Sequence, residues 1–487
     1  MDALGTTYAF VVTALCLHGA HRYVHAWRFF RTRARAPEVA VWTGDLPQVT
    51  VQLPVYNERD VLSRLVDSVA ALDWPKDRLL VQILDDSTDD TAARAANAIA
   101  RARASGLEVE LLHRSQRSGF KAGALAAGLE SARGEFVAIF DADFAPGSDF
   151  LQKTIPEFAA PDVGMVQARW GHQNSDESAL TRAQAMMLDA HFRVEHLVRN
   201  RSGAWFNFNG TAGIWRRSAI LSAGGWQGDT LTEDLDLSYR AQVAGWRFVY
   251  RDDVVVPGEL PANLAAFRGQ QARWAKGSLE TARKLAQTVV TAKVPLFVRL
   301  EAVQHLFANL AWPLALLVGL LMPAVAVLSP NEGLARHIFL DLPAFLFATI
   351  SHALFFSLPA FSRPQRQAFA WRDLPGVLAL GTGMALAQSL AVFEALLGRR
   401  TPFVRTPKRG AGEGSYRAPA SATGVPELVL AGWHLVGICC AVALHRWGSI
   451  PFLALFASGF GWVGLLALRE WRVGLAGAAA TEPVLAK

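Results

Sequence analysis

Two aspartates separated by a single residue, Asp141 and Asp143, directly follow an apolar run at residues 136–140. Such a run predicts a buried strand, and carboxylates at its end supply the hard oxygen ligands that Mg²⁺ or Mn²⁺ prefer. A divalent cation held there neutralises a diphosphate leaving group. The pair therefore predicts a metal site, although a triplet of this kind is common by chance.

A second group of acids occupies residues 85–90, where four of six residues are aspartates. Neighbouring carboxylates repel one another unless polar or cationic groups lie among them, and the tip of a strand is where a base or ribose is bound. We interpret Asp85 and Asp86 as functional. Asp89 and Thr91 are explained equally well as the cap of the helix that follows.

Two further segments follow predicted strands and open helices. In residues 54–60, Tyr56, Asn57 and Glu58 stand at a turn whose backbone N–H groups suit a nucleotide, and helix capping by Asn57 explains them equally. In residues 117–125, two glycines and Lys121 precede an Ala-rich helix, a layout that suits a pyrophosphate or the acid that binds it. A solvent-exposed loop lysine is the alternative.

A third acidic group, Glu233 and Asp234 after Thr232, begins an amphipathic helix. A carboxylate at a helix N-terminus is stabilised by the helix dipole and stays ionised, so it can accept a proton from an acceptor hydroxyl. A capping box with surplus acids is the alternative.

Residues 269–278 set Gln270, Arg273 and Trp274 on adjoining faces of one helical turn, just before an apolar region. The indole offers a stacking face for a sugar ring, and the Gln and Arg side chains bind hydroxyl and phosphate oxygens. A Trp/Arg anchor at a membrane surface explains the same pattern.

The elements that position these residues alternate between residues 47 and 274. Short β-branched runs are followed by Ala-, Arg- and Leu-rich segments of helical period, which predicts an α/β fold with a mostly parallel central sheet. Ligands bind such sheets at the carboxyl ends of the strands. The acids described above lie at those ends.

The rest of the chain is apolar enough for a membrane. Of all residues, 52% are hydrophobic and 18% charged. We predict the following division: a transmembrane anchor at 1–35, a cytosolic domain at 45–275, interfacial helices at 276–302, a transmembrane region at 303–470 with about four spans, and a short cytosolic tail at 471–487. Only a short segment follows the last apolar run, so no attached regulatory domain is expected.

Residues 374–397 are apolar but carry Gln388, Ser389 and Glu394 and lie between two basic loops. If both loops are cytosolic, this segment is an interfacial or re-entrant helix; an ordinary span is the alternative. The first interpretation gives five crossings, with the N-terminus outside and the C-terminus inside.

Charge and cysteine content exclude other classes of protein. The net charge is +6, but the basic residues cluster beside apolar runs, which predicts contact with membrane lipids and no nucleic acid. The cysteines, Cys16, Cys439 and Cys440, all fall in apolar stretches. Neither a disulfide framework nor structural zinc is indicated.

Taken together and in order, the segments YNE, DDS, FKAGAL, DAD, FNGTAG, TED and QQARW resemble the processive inverting glycosyltransferases of family two, the cellulose-synthase and cellulose-synthase-like enzymes. Residues 53–91 are especially similar to the plant mannan synthases and their bacterial relatives. The resemblance covers residues 45–410 and implies a glycosyltransferase A-type, nucleotide-sugar-binding domain inserted into a helical transmembrane region.

The resemblance also implies roles for individual residues. Asp141 and Asp143 would bind the metal and the donor diphosphate, and Asp234 would be the general base. The implied donor-binding residues are Tyr56, Glu58, Asp86, Lys121, Asp141, Asp143, Gln270, Arg273 and Trp274. The implied acceptor-binding residues are Asn209, Gly210, Glu233 and Trp274. The basic segment 403–408 is similar to a cytosolic loop beside the catalytic opening.

The implied activity is transfer of a hexose from GDP-mannose or UDP-glucose to a growing β-linked polysaccharide, with Mg²⁺ or Mn²⁺, at the cytosolic face of a bacterial inner membrane. The expected partners are the nucleotide sugar, a glycan or lipid acceptor, membrane lipids and accessory export proteins. Two alternatives remain open. One is a non-processive enzyme that makes a glycolipid such as a glycosyl diacylglycerol. The other is a non-enzymatic, nucleotide-binding transporter or receptor, although the apolar spans carry few of the charges that mark transport pathways.

Overall fold

The computed structural model describes residues 3–33, 40–328, 340–362, 367–399, 401, 405–408 and 423–479. Several predicted features fall partly or wholly outside these ranges: the end of the anchor at 34–35, residues 329–339 of the transmembrane region, residues 403–404 of the basic segment, and residues 480–487 of the tail.

Seven strands form one sheet in the order β3-β2-β1-β4-β6-β5-β7. The strands are β1 (Val49–Val55), β2 (Leu79–Asp85), β3 (Glu108–His113), β4 (Phe136–Ile139), β5 (Val163–His172), β6 (Gly213–Arg216) and β7 (Arg247–Gly258). Strands β1 to β4 pair in parallel, β6 runs antiparallel to β4 and β5, and β7 is parallel to β5. The predicted α/β fold with a mostly parallel sheet is confirmed.

The register of the parallel strands explains why the acids converge. Val55, the last residue of β1, pairs with Asp85, the last residue of β2. All residues of β4 are fully buried, and this strand runs directly toward Asp141. Because parallel strands end at the same edge, the segments that follow β1, β2 and β4 meet there.

Helices cover both faces of this sheet and continue into an apolar bundle. In chain order they are α1 (Ala3–Thr32), α2 (Leu62–Ala70), α3 (Thr91–Ala104), α4 (Phe120–Ser131), α5 (Phe150–Thr154), α6 (Ala179–Ala190), α7 (Leu197–Ser202), α8 (Arg217–Ser222), α9 (Glu233–Val243), α10 (Leu264–Thr291), α11 (Leu296–Phe307), α12 (Ala311–Leu328), α13 (Ser351–Ser357), α14 (Gln367–Leu396), α15 (Val425–Ala443) and α16 (Ile450–Ala479). π-helical segments lie at His191–His196 and Ala344–Ile350. In α2 the buried residues Leu62, Leu65, Val66 and Val69 recur with the helical period, which fixes the face that packs on the sheet.

Six helices in the described part of the chain are long and apolar enough to cross a membrane, by length and composition. They span Ala3–Thr32, Leu296–Leu328, Ala344–Phe361, Trp371–Leu396, Val425–Ala443 and Trp447–Val473. The fourth contains the segment that we interpreted as interfacial, and that interpretation stays a prediction. Six crossings would put both chain ends on one side of the membrane, whereas five put them on opposite sides.

Ionic contacts join the apolar bundle to the helix that carries the Gln-Arg-Trp group. The Glu470 carboxylate in α16 accepts hydrogen bonds from the backbone N–H groups of Leu264 and Ala265, at 2.7 and 3.0 Å. N–H groups in the first turn of a helix have no partner within the helix, so Glu470 satisfies two of them in α10. A carboxylate at this end also complements the helix dipole. Further along α10, Lys276 pairs with Glu394 of α14 at 3.1 Å. The bundle therefore fixes the position of α10 against the sheet.

Candidate active site

A cavity of about 190 Å³ opens at the carboxyl ends of β1, β2 and β4, beneath the start of α9 and one face of α10. All of the residues to which the resemblance assigns a role line it: Tyr56, Glu58, Asp86, Lys121, Asp141, Asp143, Asn209, Gly210, Glu233, Asp234, Gln270, Arg273 and Trp274. The structure thus brings together residues that lie more than two hundred positions apart in the chain. Lining the cavity does not by itself assign a role to each of these residues.

Each aspartate of the predicted metal pair faces an ammonium group. Lys121 Nζ lies 2.5 Å from Asp141 Oδ1, and Lys408 Nζ lies 2.8 Å from Asp143 Oδ2. The backbone N–H of Asp141 donates to Thr211 Oγ1 at 2.8 Å, which fixes the turn after β4. Two carboxylates that line the same cavity can bind Mg²⁺ or Mn²⁺, and these ions take their remaining ligands from phosphate and water.

Of the acids at the start of α9, Glu233 is buried and Asp234 is partly buried. Burial, and next the charge of Glu233, raise the pKa of Asp234 to about 7. Burial likewise raises the pKa of Glu233. The position of Asp234 at a helix N-terminus predicts that it stays ionised, but desolvation outweighs that effect because the site lies under α10 and the sheet. Asp234 is therefore poised to take up a proton near neutral pH.

Gly210 brings its backbone close to two of these groups. Its carbonyl oxygen accepts a hydrogen bond from Lys121 Nζ at 2.8 Å. Its φ of +80° lies in the left-handed region, and an added Cβ would lie 3.1 Å from Asp234 Oδ2 and 3.4 Å from Lys121 Nζ. Only glycine adopts this conformation readily and leaves the carboxylate in place.

Gly210→Ala should therefore lower the rate of the reaction catalysed here by about 10- to 100-fold, because small displacements of reacting groups are costly. Gly203→Ala is the matched control, since Gly203 has a φ of +70° but nothing within 4 Å of its added Cβ. Both variants should lose a similar roughly 1–2 kcal/mol of stability from the left-handed backbone. Activity and thermal unfolding are measured for both variants. Equal losses of activity would show that backbone strain, and not the displacement of Asp234 or Lys121, lowers the rate.

The side of the cavity near β2 is organised by arginines that the sequence analysis did not assign. Arg114 donates from Nε and Nη2 to the two carboxylate oxygens of Asp86, at 2.7 and 2.6 Å. The guanidinium carbon of Arg117 lies 3.5 Å from the centre of the Tyr56 ring. Asp86 and Tyr56 are thus held in fixed orientations at the cavity wall.

Asp85, which we interpreted as functional beside Asp86, is not among the residues that line this cavity. One of its carboxylate oxygens accepts from the backbone N–H of Ser87 at 3.0 Å, and the other lies 3.0 Å from His113 Nδ1. Successive residues of a strand point to opposite faces, so adjacent aspartates at the end of β2 cannot both face the cavity. The contacts of Asp85 stabilise the turn after β2.

The described part of the basic segment, residues 405–408, contributes Arg405, Thr406 and Lys408 to the wall of the cavity. Arg405 donates from Nε to Glu58 Oε1 at 2.7 Å and from Nη2 to the other oxygen of the same carboxylate. Thr406 Oγ1 accepts from Arg273 Nη2 at 2.7 Å. With Lys408 on Asp143, this segment places cationic groups on two of the predicted donor-binding acids. The resemblance to the family placed this segment beside the catalytic opening, but the sequence did not predict which residues it contacts.

The Gln-Arg-Trp group lies on the face of α10 that covers the cavity. Burial lowers the pKa of Arg273 to about 10, so the guanidinium remains protonated at neutral pH. The rings of Trp274 and Trp170 lie 6.4 Å apart between centres, which makes an aromatic wall. A sugar ring can stack on such a wall while the guanidinium binds anionic oxygens.

Comparison with known proteins agrees with this geometry. Residues 47–277 match the family model described as "Glycosyltransferase like family 2". Glucomannan 4-beta-mannosyltransferase 2 of Arabidopsis thaliana is 46% identical over 256 residues, which cover 52% of this chain and 48% of the plant protein. Glucomannan 4-beta-mannosyltransferase 1 of Cyamopsis tetragonoloba is 42% identical over 308 residues, 61% of this chain and 58% of the relative. The chain spans about half the length of the curated relatives that it matches.

Among solved structures, the chain resembles a mannosyltransferase from Pyrobaculum calidifontis, determined with GDP-Man and Mn²⁺. The TM-score is 0.57 at 23% sequence identity, over 81% of this chain and all of the archaeal one. At this identity the likeness concerns the fold, which is a glycosyltransferase A-type α/β domain.

Proposed function

We propose that this chain, which carries a glycosyltransferase domain of family two over residues 47–277, transfers mannose from GDP-mannose to a hydroxyl of a growing β-linked glycan. The observation that carries the proposal is that one cavity holds Asp234, whose pKa desolvation raises to about 7, together with Lys121 and the Asp141/Asp143 pair. The relatives described above are named as mannosyltransferases, which supports mannose as the sugar.

The reaction is a single displacement. Asp234 removes the proton from the acceptor hydroxyl, and the hydroxyl oxygen forms a bond to the anomeric carbon as the bond from that carbon to the diphosphate oxygen breaks. The nucleoside diphosphate leaves from the opposite face, so an α-linked donor gives a β-glycoside. Lys121 and Arg273 stabilise the charge of the departing diphosphate.

Asp141 and Asp143 would hold Mg²⁺ or Mn²⁺. The ion supplies Lewis-acid stabilisation of the diphosphate when it is bound. Lys121 and Lys408, which contact these carboxylates in the structure, would then turn toward the phosphate oxygens.

The proposed base makes the rate depend on pH. A carboxyl group with a pKa of about 7 is ionised above that pH and protonated below it. Only the ionised form accepts a proton, so kcat at saturating donor should fall by about tenfold for each pH unit below 7. Donor affinity and tryptophan fluorescence, measured at each pH, separate this effect from weak binding or unfolding. A kcat that stays constant down to pH 5.5 would exclude Asp234 as a base with this pKa.

The donor is tested by release of nucleoside diphosphate from purified protein in detergent or nanodiscs. GDP-mannose, UDP-glucose and UDP-N-acetylglucosamine are compared with Mg²⁺, with Mn²⁺ and with EDTA, and the products are analysed by mass. We expect metal-dependent turnover of GDP-mannose and a ladder of hexose additions. Turnover of UDP-glucose alone would refute the sugar assignment, and no turnover of any donor would favour a non-enzymatic nucleotide-binding protein.

A second acceptor class is favoured by a cavity among the membrane helices. This cavity, of about 340 Å³, is lined mainly by apolar side chains such as Trp312, Met322 and Phe456. A lipid tail fits such a lining better than a polar glycan does. Transfer to a membrane lipid would give a single glycolipid rather than a ladder in the same assay.

The six apolar helices make the chain an integral membrane protein. We propose a cytosolic catalytic domain, because Arg28 and Arg31 lie at the end of α1 that leads into it. Placement in a bacterial inner membrane rests on the resemblance of residues 53–91 to bacterial relatives. That placement, the predicted domain boundaries and the accessory export proteins stay predictions.

A further inference from the structure

A chain of polar side chains runs from membrane helix α1 to Asn209 at the active-site cavity. Arg22 Nη1 donates to Glu195 Oε1 at 2.5 Å. The other oxygen of Glu195 lies 2.8 Å from His191 Nδ1. His191 Nε2 lies 3.0 Å from the amide nitrogen of Asn209. Arg22, Glu195, His191 and Asn209, all partly buried, are called the polar relay below.

The chemistry of Glu195 fixes the direction of each hydrogen bond in the relay. Burial alone would raise the pKa of Glu195, but Arg22 and His191 outweigh it and hold this pKa well below its usual value. An ionised carboxylate can only accept hydrogen bonds, so His191 Nδ1 must carry a proton and donate it. In the neutral ring Nε2 then has a lone pair, which accepts the amide N–H of Asn209.

This direction sets the orientation of the Asn209 amide. An asparagine side chain can turn over and exchange its donor and acceptor ends. Because His191 accepts, the amide nitrogen is held on the relay side, and Oδ1 is left as the free end. Oδ1 is buried and has no hydrogen-bond partner among the described residues, so it is an unsatisfied acceptor, and Asn209 lines the same cavity as Asp234. The backbone N–H of Asn209 donates to Gln167 Oε1 at 2.9 Å, which fixes the residue further.

The local structure around the relay also points to function. His191 and Glu195 lie in the π-helical segment His191–His196, between α6 and α7. π-helical turns are uncommon and occur frequently at functional sites. Buried charge pairs seldom add net stability compared with apolar packing. The relay is therefore better explained by the orientation that it imposes than by its contribution to folding.

We propose that His191 is a positioning residue for the acceptor: through its hydrogen bond to Asn209, it presents Asn209 Oδ1 to a hydroxyl group of the acceptor sugar. This inference rests on the proposed function. His191 is not among the described residues that line the active-site cavity, so its effect acts through Asn209 and should appear in the binding of the acceptor and not of the donor.

The test compares His191→Ala with His191→Gln, using GDP-mannose as donor and a β-1,4-linked mannotriose as acceptor. Alanine removes the hydrogen bond to Asn209, whereas glutamine can accept from Asn209 through Oε1 and donate to Glu195 through Nε2. We expect the KM for mannotriose to rise about tenfold in the alanine variant and to return to within about threefold of wild type in the glutamine variant. The KM for GDP-mannose should stay within about twofold in both variants.

A double-mutant cycle with Asn209→Ala tests the link between the two residues. If His191 acts through Asn209, adding His191→Ala to Asn209→Ala should change the KM for mannotriose by less than about twofold. Additive effects of the two substitutions on the KM for mannotriose would overturn the positioning role. So would a His191→Gln variant that unfolds at the wild-type temperature but has a KM for mannotriose as high as that of His191→Ala. Absence of turnover by the wild-type protein would instead overturn the proposed function, and this inference with it.

Discussion

Asp234→Asn is expected to lower the rate of mannosyl transfer by about 10²- to 10⁴-fold, the usual contribution of a general base. Asparagine has nearly the same size and can still accept the backbone N–H of Leu235, as Asp234 Oδ1 does at 2.8 Å. It cannot accept a proton from the acceptor hydroxyl. The variant should therefore fold and bind donor normally while transfer almost stops.

The measurement pairs nucleoside-diphosphate release with calorimetric titration of GDP-mannose in the presence of Mn²⁺. Asp67→Asn serves as the matched control, because Asp67 lies on α2 away from the cavity, is about half exposed and pairs with Arg101 of α3 at 2.8 Å. The control should keep wild-type turnover. If Asp234→Asn kept it as well, the general-base assignment would be wrong.

Asp141→Asn is the second substitution with a large expected effect. The amide keeps the shape of the side chain but removes the charge that a divalent cation requires, so the affinity for GDP-mannose in Mn²⁺ should fall by at least about tenfold. Asp141 is the better target of the pair: its side chain is 36% exposed, whereas Asp143 is 4% exposed and contacts Lys408. Replacing Asp143 alone would leave a buried ammonium without its partner.

A metal titration checks this prediction. The concentration of Mn²⁺ that gives half-maximal activity should rise in Asp141→Asn, while binding of GDP-mannose in EDTA should match that of the wild type. The double variant Asp143→Asn/Lys408→Met removes a carboxylate and an ammonium together, and should show the same shift in metal dependence. An unchanged Mn²⁺ requirement in both variants would refute a metal held by this pair.

Much of the site followed from the sequence because parallel strands end together. The run at 136–140 identified a buried strand, and the acids after β1, β2 and β4 fell at one edge of the sheet, as the pairing of Val55 with Asp85 shows. The apolar segments were equally clear, because a span long enough for a membrane needs only length and composition. Helix 371–396 illustrates the limit of that argument, since its composition fits both a span and an interfacial helix.

The parts that the sequence did not predict depend on long-range contacts. Arg405 pairs with a carboxylate 347 residues away, and local pattern gives no sign of such a partner. The raised pKa of Asp234 depends on burial under α10, which a helix-capping argument cannot include. Asp85 and Asp86 are residues of the same type, so the sequence does not distinguish them. Only the alternation of side chains at the end of β2 decides which of them faces the cavity.

The polar relay was missed for a different reason. His191 and Glu195 look like ordinary polar residues of one helix, because their spacing of four suits an α-helix as well as a π-helix. Their significance comes from the residues at either end, Arg22 in a membrane helix and Asn209 at the cavity. Only the fold brings these together.

The central claim is a single displacement with Asp234 as base, and the anomeric configuration of the first product tests it most directly. Purified protein is incubated with α-linked GDP-mannose, Mn²⁺ and mannotriose, and the new linkage is assigned by NMR and by digestion with a β-mannosidase. We predict a β-mannoside that is absent from reactions of Asp234→Asn. An α-mannoside, which requires two displacements or front-face transfer, would contradict the mechanism.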